Sequence, residues 1–219
     1  MKPTCPKKLI RGFTRCDLIT VLFLLFMMLV VLPGFLLPQP SGSKKSARIA
    51  CVNNLRQVGL AFRVFSNDHS DKFPMSVSTN QGGSLEYVGT ADVFRHYLAM
   101  TNELNNPKIV TCPSDKSRKR VTSLATVRNG DLSYFIGLDA DETFRQGILS
   151  GDHNITTNSR LMSGILTLTS SSPMSWTKDI HRTNGNIGFA DGSAQQLTKV
   201  GLNETIVRSP ISPVRLAIP

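Results

Sequence analysis

The chain has 219 residues, 40% of them hydrophobic, and its 25 basic against 15 acidic side chains give a net charge of +10. Five of the bases and one of the acids fall in residues 1–17, so 20 against 14 remain from Leu18 onward; this moderate excess favours anionic partners such as polysaccharide, lipid head groups or nucleic acid, without specifying a fold. Of four cysteines only Cys51 and Cys112 lie well beyond the N-terminal region, and with no histidine close by in sequence they exclude a zinc motif.

The first feature along the chain is a short basic segment with Lys2, Lys7, Lys8, Arg11 and Arg15 and no acid before Asp17. An apolar run from Leu18 to Leu37 follows, interrupted only by Thr20, Pro33 and Gly34. Twenty residues at 1.5 Å each cover about 30 Å, one hydrocarbon core. The run therefore predicts a single transmembrane helix in a lipid bilayer, its basic N-terminus cytoplasmic and the larger C-terminal part periplasmic. About 175 residues lie beyond it, enough for one domain with its own core.

A secretory signal is cut after its apolar region. Here Gly12-Phe13 precedes the apolar region, Pro38-Gln39-Pro40 offers no Ala-x-Ala pattern, and no cysteine follows at a lipoprotein's distance. In Arg11-Gly12-Phe13-Thr14-Arg15-Cys16-Asp17 the chain resembles the type IV pilins and the pseudopilins of type II secretion. Their leader ends in Lys/Arg-Gly, and their mature chain opens Phe-Thr-x-x-Glu before a hydrophobic helix. Gly12, Phe13 and Thr14 match, and Asp17 stands at the fifth-position Glu, one methylene shorter. The resemblance implies cleavage after Gly12 by a prepilin peptidase and N-methylation of Phe13. It also implies an assembly role for Asp17 against the free amine of a neighbouring subunit. The implied partners are that peptidase, other pilin or pseudopilin subunits and an inner-membrane assembly platform, with no cofactor and no catalysis by the chain itself. A carboxylate costs about 2.5–3.5 kcal/mol at the centre of a membrane helix and less near its edge, a cost such an amine would offset.

Pro33, Pro38 and Pro40 with Gly34, Gly42 and flanking serines predict a kinked exit. An amphipathic helix is expected from Ser43 to Ser66, with Cys51, Leu55, Val58, Phe62 and Phe65 on one face and Lys44, Lys45, Arg48, Arg56 and Arg63 off it. The words Cys51-Val52-Asn53-Asn54-Leu55-Arg56-Gln57-Val58-Gly59-Leu60-Ala61, then Asn67 through Pro74, and Cys112-Pro113-Ser114-Asp115 are similar to segments of a large pseudopilin-like group. Cys51 and Cys112 have one available pairing: they are either a disulfide, permitted on the exported side, or two buried thiols. Asp68, His69 and Asp71 read as a polar turn rather than a metal site. Residues 90–100 predict a short helix.

The basic run Lys116, Arg118, Lys119, Arg120 lacks interleaved aromatics, so a solvated loop is expected in preference to a nucleic-acid groove. Leu132–Gly137 and Gly164–Thr169 read as strands. Asp139-Ala140-Asp141-Glu142 is a weak calcium candidate, and Asp152-His153-Asn154 reads as a polar loop. Near the C-terminus, Asn186–Ala190 and Ser193–Leu197 flank Asp191-Gly192, a pair suited to a tight hairpin turn. His181, with nine residues between it and Asp191, completes an element similar to the His-x9-Asp-Gly that closes the ectodomain of the same group. The tail from 203 to 219, with three prolines, is expected to lie along the surface or remain unordered.

The expected architecture is α+β and pilin-like: an N-terminal transmembrane helix continuing, kinked, into an amphipathic helix packed on an antiparallel β-sheet. The expected function is structural, as a subunit or accessory of a type IV pilus or type II secretion pseudopilus. Two other classes stay open: a membrane-tethered periplasmic module binding sugar, calcium or DNA, and a tethered hydrolase using His181 and Asp191.

Overall fold

The structure, a computed structural model, describes residues 15–36, 42–157 and 160–219. It divides into two units, one ending at Gly42 and one running from Ser43 to Pro219. In the first, helix α1 (Arg15–Leu36) runs through Pro33 and Gly34 to Leu36, where the sequence predicts a break. Its side chains are apolar all round, and every large hydrophobic from Leu18 to Val30 is exposed, up to 75% for Leu29. At its head Thr20 Oγ1 donates to Asp17 O at 2.8 Å.

The expected transmembrane helix is corrected here: among the described residues no helix is long and apolar enough to cross a membrane. Arg15 and Asp17, both charged, occupy the first turn of α1. The expected kinked exit at Pro38 and Pro40 lies outside the described residues.

The second unit begins with helix α2 (Gly42–Asp68), longer than the predicted segment. Cys51, Leu55, Val58, Phe62 and Phe65 are all buried, while Lys45, Arg56 and Arg63 are exposed. A four-and-three spacing of apolar side chains makes one face of a helix, and that face needs an apolar partner. The partner is a six-stranded sheet. Its strands, with those of a smaller sheet, are β1 (Tyr134–Gly137), β2 (Ile148–Asp152), β3 (Ile155–Thr157), β4 (Arg160–Leu161), β5 (Gly164–Leu168), β6 (Ser175–Trp176), β7 (Gly185–Phe189), β8 (Ala194–Leu197) and β9 (Val214–Ile218). The large sheet has the order β5-β9-β1-β2-β7-β8 and the small one β4-β3-β6, antiparallel throughout.

Between α2 and β1 the chain is a succession of short turns around two brief helices, α3 (Val93–Leu98) and α4 (Thr101–Leu104). One core joins Val58, Phe62 and Phe65 of α2 with Val93 and Tyr97 of α3 and Ile136 of β1. A second gathers Phe135, Ile155, Trp176 and Ile187 with Leu202 and Ile206 of α5 (Lys199–Val207). Neighbouring residues of β1 thus point into different cores, and the central strands are buried on both faces.

Close approach of α2 to the β7–β8 hairpin depends on glycine. A Cβ at Gly59 would stand 3.1 Å from Gly192 Cα, and Gly192 itself turns the hairpin at φ +81°. The C-terminal segment corrects the expected surface tail. Residues 199–207 are helical, and β9 lies inside the sheet between β5 and β1 with Val214, Leu216, Ala217 and Ile218 buried.

Candidate functional site

The residues with chemistry converge where α2 crosses the sheet. Cys51 on α2 is joined to Cys112, in the loop before β1, by a disulfide with Cα atoms 5.1 Å apart. The loop that carries Cys112 is also held to α2 by Asn54, whose Nδ2 donates to Thr111 O at 3.2 Å. His181, on the turn leading into β7, brings Nε2 to 3.5 Å from Cys112 Sγ and 3.5 Å from Asp152 Oδ2. Arg182 in that turn adopts φ +64°, and His181 bridges to Asn184, which fixes the imidazole against the bridge.

Asp152 ends β2 and is wholly buried. Its Oδ2 accepts from Asn186 N at 2.7 Å and from Asn186 Nδ2 at 3.0 Å. Burial pushes its carboxyl up to about 8, against the pull of the Asn186 hydrogen bonds. Burial likewise pushes the His181 imidazole down to about 4, helped by the positive charge of Arg48. Among the described residues Asp152 Oδ1 and His181 Nδ1 have no hydrogen-bond partner.

A second buried group adjoins the first. His153 Nε2 lies 2.9 Å from Asp115 Oδ2, which also accepts from Ser133 Oγ at 2.8 Å. The other oxygen, Oδ1, accepts from Ser117 N at 3.0 Å and Ser117 Oγ at 2.6 Å. Burial raises the Asp115 carboxyl, but these hydrogen bonds and His153 outweigh it and hold the group well below the ordinary carboxylate range. Serine, aspartate and histidine are all present, yet the carboxylate sits in the middle. A nucleophile relay needs histidine between serine and carboxylate, so this is a structural hub. An open cleft of about 260 Å³ borders Cys112 and Asp115, lined by Asn54, Lys108, Arg118 and Arg120.

Gly12 and Phe13, the expected cleavage and methylation residues, lie outside the described residues. Asp17 falls in the first turn of α1. His181 does not pair with Asp191, the couple on which the hydrolase alternative rests: it meets Asp152 and Cys112, while Asp191 Oδ1 accepts from Ser193 N at 2.9 Å and closes its own turn with Gly192. The acidic loop 139–142 is consumed by side chains of this chain. Asp139 pairs with Arg215, Asp141 caps Thr143, and Glu142 meets Arg63 and Ser66. His69 sits at the exit of α2, stacked on Phe65 with Nδ1 2.8 Å from Phe65 O, in place as a turn residue.

Sequence reasoning missed the role of Asp152, His153 and Asn154, which read as a polar loop and are all buried. The signal was their setting: three polar residues between the apolar Ile148-Leu149 and Ile155, too short an interval to reach solvent. Zinc was set aside because no histidine is near Cys51 or Cys112 in sequence; folding places His181 there, with one donor atom from each of the three within 4.8 Å of one another. In comparison with family models, curated proteins and solved structures, nothing matches this chain.

Proposed function

We propose that this chain is a non-enzymatic structural subunit or accessory of a filament of the type IV pilus or type II secretion pseudopilus kind. The observation that carries the proposal is α1: a helix apolar on every side, exposed from Leu18 to Val30, with a carboxylate in its first turn. Such a surface calls for an apolar covering, and the same helices of other copies supply one. The Arg11-Gly12-Phe13-Thr14 context places a new N-terminal amine four residues before Asp17 once Gly12-Phe13 is cut. The amine of Phe13 in one copy then meets Asp17 of the next and sets the axial stagger. A disulfide in the second unit fits an exported domain, and a helix packed on an antiparallel sheet suits display on a filament surface.

Mass spectrometry of the chain purified from its native host tests this. The expected product begins with N-methylated Phe13, and a Gly12→Val variant should remain full length. Asp17→Ala should be cut normally yet fail to enter filaments. A native form that still carries Met1 to Gly12, or one that begins beyond residue 37, refutes the proposal.

A further inference from the structure

We propose that in the reduced chain the thiolates of Cys51 and Cys112, Nε2 of His181 and Oδ2 of Asp152 bind one zinc ion, so that disulfide and metal are alternative occupants of one buried position. Three of the four donors already stand close to the positions of a filled site. Bonds of about 2.3 Å to sulfur and 2.0–2.1 Å to nitrogen or oxygen in a tetrahedron require about 3.5 Å between sulfur and nitrogen and about 3.8 Å between sulfurs. Cys112 Sγ already stands 3.5 Å from His181 Nε2, and Asp152 Oδ2 stands 3.5 Å from that same nitrogen. Both sulfurs and the imidazole nitrogen lie within 4.8 Å of one another. The Asp152 carboxylate, which is not one of the donors within 4.8 Å of one another, must move toward the sulfurs, and the edge between the sulfurs must open from 2.05 Å to about 3.8 Å. Rotation of two cysteine side chains on opposite sides of the gap supplies that opening.

The surroundings are those of a metal site. All four donor residues are buried, and Asn186 holds the Asp152 oxygen through N and Nδ2, the outer support that orients a ligating carboxylate. Two thiolates, an imidazole and a carboxylate select zinc over hard cations. Opening the site breaks the sulfur–sulfur bond. A dithiol supplies two electrons and two protons and departs as its own disulfide. When zinc enters, the two thiol protons and the proton of the Asp152–His181 pair leave to solvent. A small-molecule disulfide reverses this: it takes two electrons from the thiolates and two protons from solvent, departs as its dithiol, and the Cys51–Cys112 bond re-forms as the ion leaves and the Asp152–His181 pair regains its proton.

Cobalt(II) and zinc(II) titrations of the full chain test the proposal, in the oxidised form and after reduction by a phosphine, which does not compete for the metal. Reduced chain should take up one cobalt with the visible bands of a tetrahedral ion and the near-ultraviolet band of thiolate ligation, and zinc should displace it one for one. Oxidised chain should show neither band. Reduced His181→Gln should bind about tenfold more weakly or worse. Zinc should also slow alkylation of Cys51 and Cys112 while leaving Cys16, which is exposed, as reactive as before. If reduction unfolds the chain, one equivalent of zinc should restore its circular dichroism in the wild type and not in His181→Gln. Equal cobalt spectra for oxidised and reduced chain, wild-type affinity in His181→Gln, or a reduced chain that zinc neither protects nor refolds would overturn it.

Discussion

Folding of the oxidised chain should be most stable near pH 6.5, and Asp152 should be the reason it weakens above that. Burial lifts the Asp152 carboxyl from 3.8 to about 8 and lowers the adjacent His181 imidazole from 6.5 to about 4. As a pair they lose protons near pH 4 and near pH 8, whichever residue holds the one between. Unfolded, the same two groups lose protons at 3.8 and 6.5. Between pH 6.5 and 8 the folded chain therefore keeps a proton that the unfolded chain has released, and stability falls as pH rises, by about 2 kcal/mol at 1.36 kcal/mol per unit. The acid side has the opposite sign. His96, buried against Ser84 Oγ at 2.8 Å, is lowered by burial from 6.5 to about 4. The unfolded chain binds the extra proton in that window, and stability falls by about 3 kcal/mol as pH drops from 6.5 to 4. Asp115 is held low, so its contribution is lost only as pH falls below its unfolded value of 3.8. Guanidinium melts followed by Trp176, the one tryptophan and a buried one, at half-unit steps from pH 4 to 9, give the profile. Asp152→Asn, nearly isosteric and without a proton to lose, should flatten the alkaline limb and steepen the acid limb, because His181, lowered from 6.5 to about 4, is then no longer offset by Asp152. A wild-type profile flat from 6.5 to 8.5, or the same alkaline fall in Asp152→Asn, would refute the reasoning.

The disulfide closes a loop of 61 residues, so Cys51→Ala with Cys112→Ala should cost about 4 kcal/mol by loop entropy, read as a lowered denaturant midpoint. Gly185→Ala sets a Cβ 2.4 Å from the Trp176 ring; a loss of about 1–3 kcal/mol and a shifted Trp176 emission are expected. Leu216→Ala, in a buried strand of the sheet interior, should cost about 2–5 kcal/mol, whereas a surface tail would lose under about 0.5 kcal/mol; urea denaturation separates the two.

What sequence made legible was whatever has a short period. The α2 stripe at Cys51, Leu55, Val58, Phe62 and Phe65 is buried residue for residue, because helical spacing leaves those side chains nowhere else to go. The β7–β8 hairpin was equally readable: Gly192 takes the positive φ that its turn requires, and Ile187 and Phe189 are buried beside it. The strand at 214–218 was hidden behind Pro210 and Pro213, which read as breakers, although Val-Arg-Leu-Ala-Ile needs only an existing pair of strand edges to join. β1 and β5 supply them from about 50 to 80 residues away in sequence, and no local pattern records that. The span expected from 18–37 rested on counting apolar letters; the helix that forms carries Arg15 and Asp17 in its first turn, and among the described residues no helix is long and apolar enough to cross a membrane.

The cluster around Cys112 shows why scattered words along the chain belong together. Cys51 and Asn54 come from α2, Cys112 and Asp115 from the loop before β1, Asp152 and His153 from the end of β2, and His181 from the turn into β7. Each word alone reads as a stretch of helix, a turn or a polar loop. In space they form a chain of contacts: Asn54 to Thr111, Cys51 to Cys112, Cys112 to His181, His181 to Asp152 and Asp152 to Asn186. Asp115, with His153 and Ser133, fastens the same loop to the sheet. Leaving any one of these buried groups without its partner costs about 1–3 kcal/mol. An alternative packing of α2 on the sheet would break several at once, whereas an apolar interface could slide by a turn at small cost. The polar cluster thus fixes the register of α2 against the sheet.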